Sequence, residues 1–206
     1  MRVRAGPNGS GKSTINVDRV TSPDPKLKPE IETTASTVVY RNRWMSVRED
    51  RIVHANGQPG IYGVVEKADF ACIAAVQTGR IWLVEQYRYP IGARFWELPQ
   101  GSWEDQPGVD PLVLARAELR EETGLAAGTM THVARMYEAY GYSTQAFNLF
   151  LATGLTQGET ELDAEEQGLV SRAFDIAEVQ RMIVEGVIVD VTTVAAFGML
   201  RLKGLV

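Results

Sequence analysis

The sequence predicts an α/β protein: an α/β/α sandwich built on a mixed sheet and preceded by a small antiparallel β segment. Three observations predict it. Runs rich in β-branched and aromatic residues, such as DFACIAAV, RIWLVEQYRYP, FWELP and AFNLFLATG, recur along the chain and read as strands. Longer segments (DPLVLARAELREETGL, DIAEVQRMIVEG and VTTVAAFGMLRLK) carry helical periodicity. The strands and helices do not alternate as regular βαβ units, which favours a mixed sheet over a parallel one.

Residues 1–34 read as an extension or linker, because TSPDPKLKPE crowds prolines and charges together. Within it GPNGSGKS (Gly6 to Ser13) matches the phosphate-binding loop pattern G-x-x-x-x-G-K-[ST]. That motif needs a buried strand before it and a sound helix after it. Only MRVRA precedes it, and Pro23 follows within ten residues of Ser13, so a remnant or extension is the favoured reading. Residues 35–66 hold TVVYRN, WMSVREDRIV and GIYGVVE, an antiparallel meander with a turn at Asn56-Gly57. Residues 67–206 form the main domain. Beyond its first strands come THVARMYEAY, AFNLFLATG and LVSRAFD as further strands. In the helix of DIAEVQRMIVEG, Ile176, Val179, Met182 and Ile183 share one face.

The segment Asp110 to Leu125 bears the chemistry. Asp110 suits an N-cap, Pro111 the first helical position and Gly124 the C-cap, predicting a helix from Pro111 to Thr123. Leu112, Ala115 and Leu119 form an apolar stripe, while Glu118, Glu121 and Glu122 share another face. Stacked carboxylates repel one another, and a divalent cation such as Mg²⁺ or Mn²⁺ removes that repulsion. Arg116 and Arg120 leave open an ordinary salt-bridged surface helix.

Composition narrows the partners. The 206 residues suffice for one domain with a small addition, and 45% hydrophobic with 23% charged residues is ordinary for a globular protein. A net charge of −5 argues against nucleic acid as the main partner. The single cysteine, Cys72, sits in an apolar strand pattern and precludes an internal disulfide, which fits a reducing, cytoplasmic setting. No apolar run approaches the ~20 residues of a membrane span, and the N-terminus lacks a signal-peptide core.

Gly101 and AELREETGL (Ala117 to Leu125) resemble the Nudix box, G-x5-E-x7-R-E-U-x-E-E-x-G-U with U aliphatic. Around it QYRYP (Gln86 to Pro90), WELPQG (Trp96 to Gly101), FLATGL (Phe150 to Leu155) and the final helix look most like the ADP-ribose pyrophosphatase branch. The resemblance spans Ala35 to the C-terminus. It implies metal-dependent hydrolysis of the pyrophosphate bond in a nucleoside diphosphate sugar, in a homodimer that pairs N-terminal strands. It also implies metal ligation by Glu118, Glu122 and the Gln100 carbonyl, with Glu121 sharing a second metal or orienting a ligand. A catalytic base is implied in ELDAEEQG, where Glu166 and then Glu165 lie nearest the next strand; a solvated acidic loop is the alternative.

The resemblance further implies that Arg88 binds the diphosphate, where a lone arginine would more often be a surface residue, and that Glu97 contacts substrate or braces Arg88, with a purely structural salt bridge as the alternative. Tyr142 and Gln145 fall in a substrate-lining loop, and Trp103 either stacks on a base or shields the site. His54 and His132 have no partner at metal-ligand spacing and read as structural.

The sequence departs from the pattern at four places. The gap from Gly101 to the box is two residues longer, and the loop glutamate has only Glu104 and Asp110 as substitutes. Ala117 stands at the box arginine. Tyr140 stands about where the branch carries a proline. A catalytically weak nucleotide-sugar-binding module is the alternative these departures favour.

Overall fold

In the computed structural model residues 29–106, 108–158 and 168–206 are described. The phosphate-loop-like Gly6–Ser13 and the candidate bases Glu165 and Glu166 lie outside the described residues.

The chain opens with an antiparallel three-stranded sheet of β1 (Ile31–Arg41), β2 (Ser46–His54) and β3 (Pro59–Glu66). β1 starts inside the segment expected to be a linker. Ile31 pairs with His54 and Glu32 with Val53, so backbone pairing extends the strand past the compositional boundary. The Asn56-Gly57 turn joins β2 to β3: Gly57 takes a φ of 82°, and the Asn56 side chain accepts from the Gln58 N–H.

The main sheet comprises β4 (Phe70–Gln77), β5 (Arg80–Arg88), β6 (Ala93–Glu97), β7 (Gln100–Gly101), β8 (Leu125–Tyr137), β9 (Ala146–Gln157) and β10 (Val170–Asp175). Its spatial order is β10-β5-β4-β9-β8, with β6 added on β5 and β7 on β4. β4 and β9 run parallel while β5, β6, β8 and β10 pair antiparallel, the expected mixed sheet. β8 begins at Leu125, earlier than its pattern suggests, because it pairs with β9 from the residue after the helix C-cap.

Both faces of the central strand are covered, which explains why FACIAAV is apolar without alternation. Phe70, Cys72 and Ala74 face one core with Leu83, Leu149, Val179 and Phe197. Ala71, Ile73 and Ala75 face a second core with Leu114, Leu119 and Phe150. Helix α1 (Pro111–Thr123) caps the second core; α2 (Ile176–Val184) and α3 (Val191–Leu202) cover the first. In α2, Val179 is buried and Ile176, Met182 and Ile183 pack partly buried beside it, as their spacing predicts.

α1 has the expected bounds. Asp110 accepts from the Leu112 N–H at 2.9 Å, and Gly124 adopts a left-handed φ of 69° that few other residues tolerate. The two sheets meet through backbone. Val65 N–H donates to Tyr142 O at 2.8 Å, Thr144 N–H to Val65 O at 3.1 Å, and the Tyr62 hydroxyl to Gly141 O. The β8–β9 loop is thereby clasped to β3. Among the described residues no helix is long and apolar enough to cross a membrane.

Candidate metal centre and substrate cleft

Helical spacing puts Glu118 and Glu122 one turn apart, and packing then buries both, to 4% and 1% exposure. β7 is what they meet. The Gln100 N–H donates to Glu122 Oε2 at 2.9 Å, fixing that carboxylate. Gly101 lies against Glu118 so closely that a Cβ there would stand 2.6 Å from Oε1 and nearer still to Oε2. A glycine at this point is therefore a requirement of the carboxylate, and the two side chains sit in a cradle that a larger residue would fill.

Glu121 is half-buried and lines a shallow depression on another side of α1, with Trp103, Arg116, Ala117 and Arg120. Among the described residues no three His, Cys, Asp or Glu side chains form one metal-binding cluster. This still fits a hard cation, since Mg²⁺ is commonly held by one or two carboxylates and completes its shell with water and substrate phosphate. The donors present, Glu118 and Glu122 with the main chain of Gln100 beside them, are oxygen ligands of that kind.

Gln100 and Gly101 also line a cleft of about 390 Å³. Arg88, at the end of β5, and Glu97, at the end of β6, form its opposite wall. Both nitrogens of the guanidinium fork engage Glu97: Nη2 donates to Oε1, and Nε to Oε2 at 3.1 Å. Gln86 Nε2 adds a bond to Oε1 at 2.7 Å. Glu97 is 2% exposed, and burial raises its pKa; Arg88 and Gln86 oppose the rise, while the Asp190 charge adds to it. Arg88 is partly exposed, so its outer edge remains available to the cleft. Beneath, burial pushes the Cys72 thiol well up, aided by the negative charges of Asp190, Glu97 and Glu122, and keeps it from acting as a nucleophile.

Other expected residues fall differently. Gln145 lines the cleft and donates to Ala68 O at 2.7 Å. Tyr142 is 60% exposed and engages β3 through its backbone; its side chain is not part of the cleft wall. Trp103 packs partly buried against the α1-side core and also lines the depression beside Glu121. Glu104 accepts from the Ser102 hydroxyl at 2.8 Å, closing the inserted loop on itself. His132 lies within 3.2 Å of Asn148 Oδ1 and packs edge-on to Phe150, a structural placement.

Sequence reasoning missed Asp190 and Thr192 at the start of α3. The signal was present in VDVTT: Asp190 is the N-cap, accepting from the Thr193 N–H and hydroxyl at 2.8 and 2.7 Å. Thr193 in turn accepts from the Leu98 N–H at 2.9 Å, which docks α3 onto the WELP segment.

Residues 66–190, well over half the chain, match the NUDIX domain. The chain belongs to the Nudix family. Residues 31–65, the N-terminal sheet, match the nucleoside diphosphate sugar hydrolase N-terminal domain. This Nudix chain is 34% identical to an ADP-ribose pyrophosphatase of Mycobacterium tuberculosis (strain ATCC 25618 / H37Rv), covering 81% of each protein. It is 30% identical to a methanol dehydrogenase activator of Bacillus methanolicus, over 84% of this chain and 94% of that protein. A solved structure of an ADP compounds hydrolase superposes with a TM-score of 0.75 at 19% identity, covering 88% of this chain and all of the other, which shows the fold. The Nudix chain is thus a pyrophosphohydrolase by family, and hydrolases of this family generally need a divalent metal.

Proposed function

We propose that this protein hydrolyses the pyrophosphate bond of ADP-ribose or a closely similar nucleoside diphosphate sugar, with Mg²⁺ or Mn²⁺, releasing a nucleoside monophosphate and a sugar phosphate. The observation that carries the reading is the juxtaposition of two buried carboxylates, Glu118 and Glu122, with the Gln100–Gly101 edge of a cleft walled by Arg88. A divalent cation bound there supplies charge neutralisation at the diphosphate and a lower pKa for an attacking water.

The chain's own groups do the rest. Arg88 offers a planar fork to phosphate oxygens, and Glu97 holds that fork in place from behind. Gln100 fixes Glu122 through its N–H and offers its carbonyl as a ligand. Glu121 orients a ligand or shares a second ion. Glu166, or Glu165 beside it, accepts the proton of the attacking water. Tyr142 contributes by holding the β8–β9 loop on β3. The two ADP-ribose pyrophosphatases similar to this chain, from M. tuberculosis and from Bacillus subtilis (strain 168) at 25% identity, support the choice of substrate.

The active species in this proposal is a cytoplasmic homodimer. Val38, Val39, Tyr40, Trp44 and Ile61 leave an apolar surface on the N-terminal sheet, as a subunit contact requires. Ala117 and the longer box loop favour a second reading, a binding module with weak turnover. Release of AMP and ribose 5-phosphate from ADP-ribose with Mg²⁺, measured beside Glu122→Gln, tests both. Turnover that falls about 10²-fold or more in the variant supports the hydrolase. Tight binding without turnover in the parent supports the module.

A further inference from the structure

The turn from Leu98 to Gly101 is held from both sides of the sheet, and α1 is only one of the holders. β6 ends at Glu97, so the Leu98 N–H leaves the ladder at a residue that is 1% exposed. A buried donor of this kind needs an acceptor. The Thr193 hydroxyl supplies it at 2.9 Å. That hydroxyl donates its own proton to Asp190 Oδ2 at 2.7 Å, which turns its lone pairs toward Leu98. Asp190 Oδ2 also accepts from the Thr193 N–H at 2.8 Å and stands 3.4 Å from Gln100 Nε2. Thr193 is 1% exposed, so the arrangement is shut off from solvent.

Pro99 has no N–H and confines Leu98 to extended backbone. Its carbonyl accepts from the Ile73 N–H at 2.8 Å, and the Gln100 N–H goes to Glu122 Oε2. The span is thus fixed by α3 at Leu98, by β4 at Pro99 and by α1 at Gln100. Mg²⁺ demands near-ideal octahedral geometry, so a carbonyl and two carboxylates from separate elements must keep their spacing closely.

Resting on the metal-site reading above, we infer that Thr193, oriented by Asp190, is a positioning residue for the cation. Through the Leu98 N–H it sets where the Gln100 carbonyl stands relative to Glu118 and Glu122. Thr193 is not part of the cleft wall and reaches the site only through this turn.

Mn²⁺ binding to the full chain without substrate, followed by loss of the free-ion electron paramagnetic resonance signal, tests this apart from turnover. Thr193→Val keeps the side-chain shape and loses the acceptor, so its Mn²⁺ dissociation constant is expected to rise about 10-fold, the scale on which supports of metal ligands act. Thr193→Ser keeps the hydroxyl and is expected to restore binding. Leu200→Val, in the core on the same helix, is expected to lower the urea midpoint and leave Mn²⁺ binding unchanged. A rise of less than about threefold in Thr193→Val, below what one lost hydrogen bond commonly gives, overturns the inference. So does a Ser variant as weak as the Val variant, or an equal rise in Leu200→Val. Should the Val variant not fold, Thr193→Ala, a better helix former that also lacks the acceptor, is read by the same criterion. A parent that binds no Mn²⁺ sinks the metal-site reading and the inference together, whereas equal binding by parent and Val variant sinks the inference alone.

Discussion

Gly101→Ala is the substitution whose effect follows most directly from the geometry. The backbone accepts alanine at this position, since Gly101 does not sit in the left-handed region. The added Cβ would lie 2.6 Å from Glu118 Oε1 and closer to the other carboxylate atoms, inside the 3.0 Å that real Cβ contacts essentially never cross. Glu118 must retreat by roughly an ångström, and at 4% exposure it has no open solvent to retreat into. Overpacking of this kind costs about 2 kcal/mol. With Glu118 in its proposed role as a metal ligand, displacing it is expected to raise the Mg²⁺ concentration for half-maximal activity by about 10–100-fold.

Urea denaturation and a Mg²⁺ titration of ADP-ribose hydrolysis measure the two effects. Their common cause is isolated by a double-mutant cycle. In a Glu118→Ala background the same Gly101→Ala change should cost no more than about 0.5 kcal/mol, because the clashing carboxylate is gone. Equal costs in the two backgrounds, or an unaltered Mg²⁺ requirement in the single mutant, would refute the assignment of Gly101 and Glu118 as one unit.

Three other outcomes are expected. Arg88→Lys keeps the charge and loses the fork, so kcat/KM on the nucleotide sugar should fall about 10–100-fold in steady-state kinetics; a change of less than about twofold would remove Arg88 from diphosphate binding. Burial raises the Glu97 pKa above its ordinary 4.5, so the folded state binds that proton more tightly than the unfolded chain. Its contribution is fully present below 4.5 and is lost as pH rises through the raised folded value; Glu97→Gln should therefore show a smaller drop in urea midpoint than the parent between pH 4.5 and pH 8. Lys12→Ala, in the phosphate-loop-like Gly6–Ser13, should leave ADP-ribose hydrolysis unchanged, and a loss would revive a role for that motif.

What the sequence by itself determined was local and periodic. Asp110, Pro111 and Gly124 delimit α1 because caps act within one turn, and Glu118 and Glu122 share a face because 3.6 residues make a turn. The mixed sheet was legible from the order of elements, since strands and helices do not alternate as regular βαβ units. FACIAAV read as a buried strand, and the structure shows it covered on both faces. Family resemblance carried the assignment from carboxylates on a helix to pyrophosphate chemistry.

Tertiary structure alone decided how the carboxylates divide. Glu118 and Glu122 meet Gly101 and Gln100, while Glu121 turns to the depression beside Ala117, because β7 docks on β4 at a register that no local pattern encodes. It also brought α3 across to the cleft through Thr193 and Leu98, 95 residues apart in sequence, and so placed Asp190 and Thr192 opposite Glu138. Such contacts depend on how distant elements pack, a global property of the chain. Capping and periodicity are read from a few adjacent residues, and so they were visible before the fold was known.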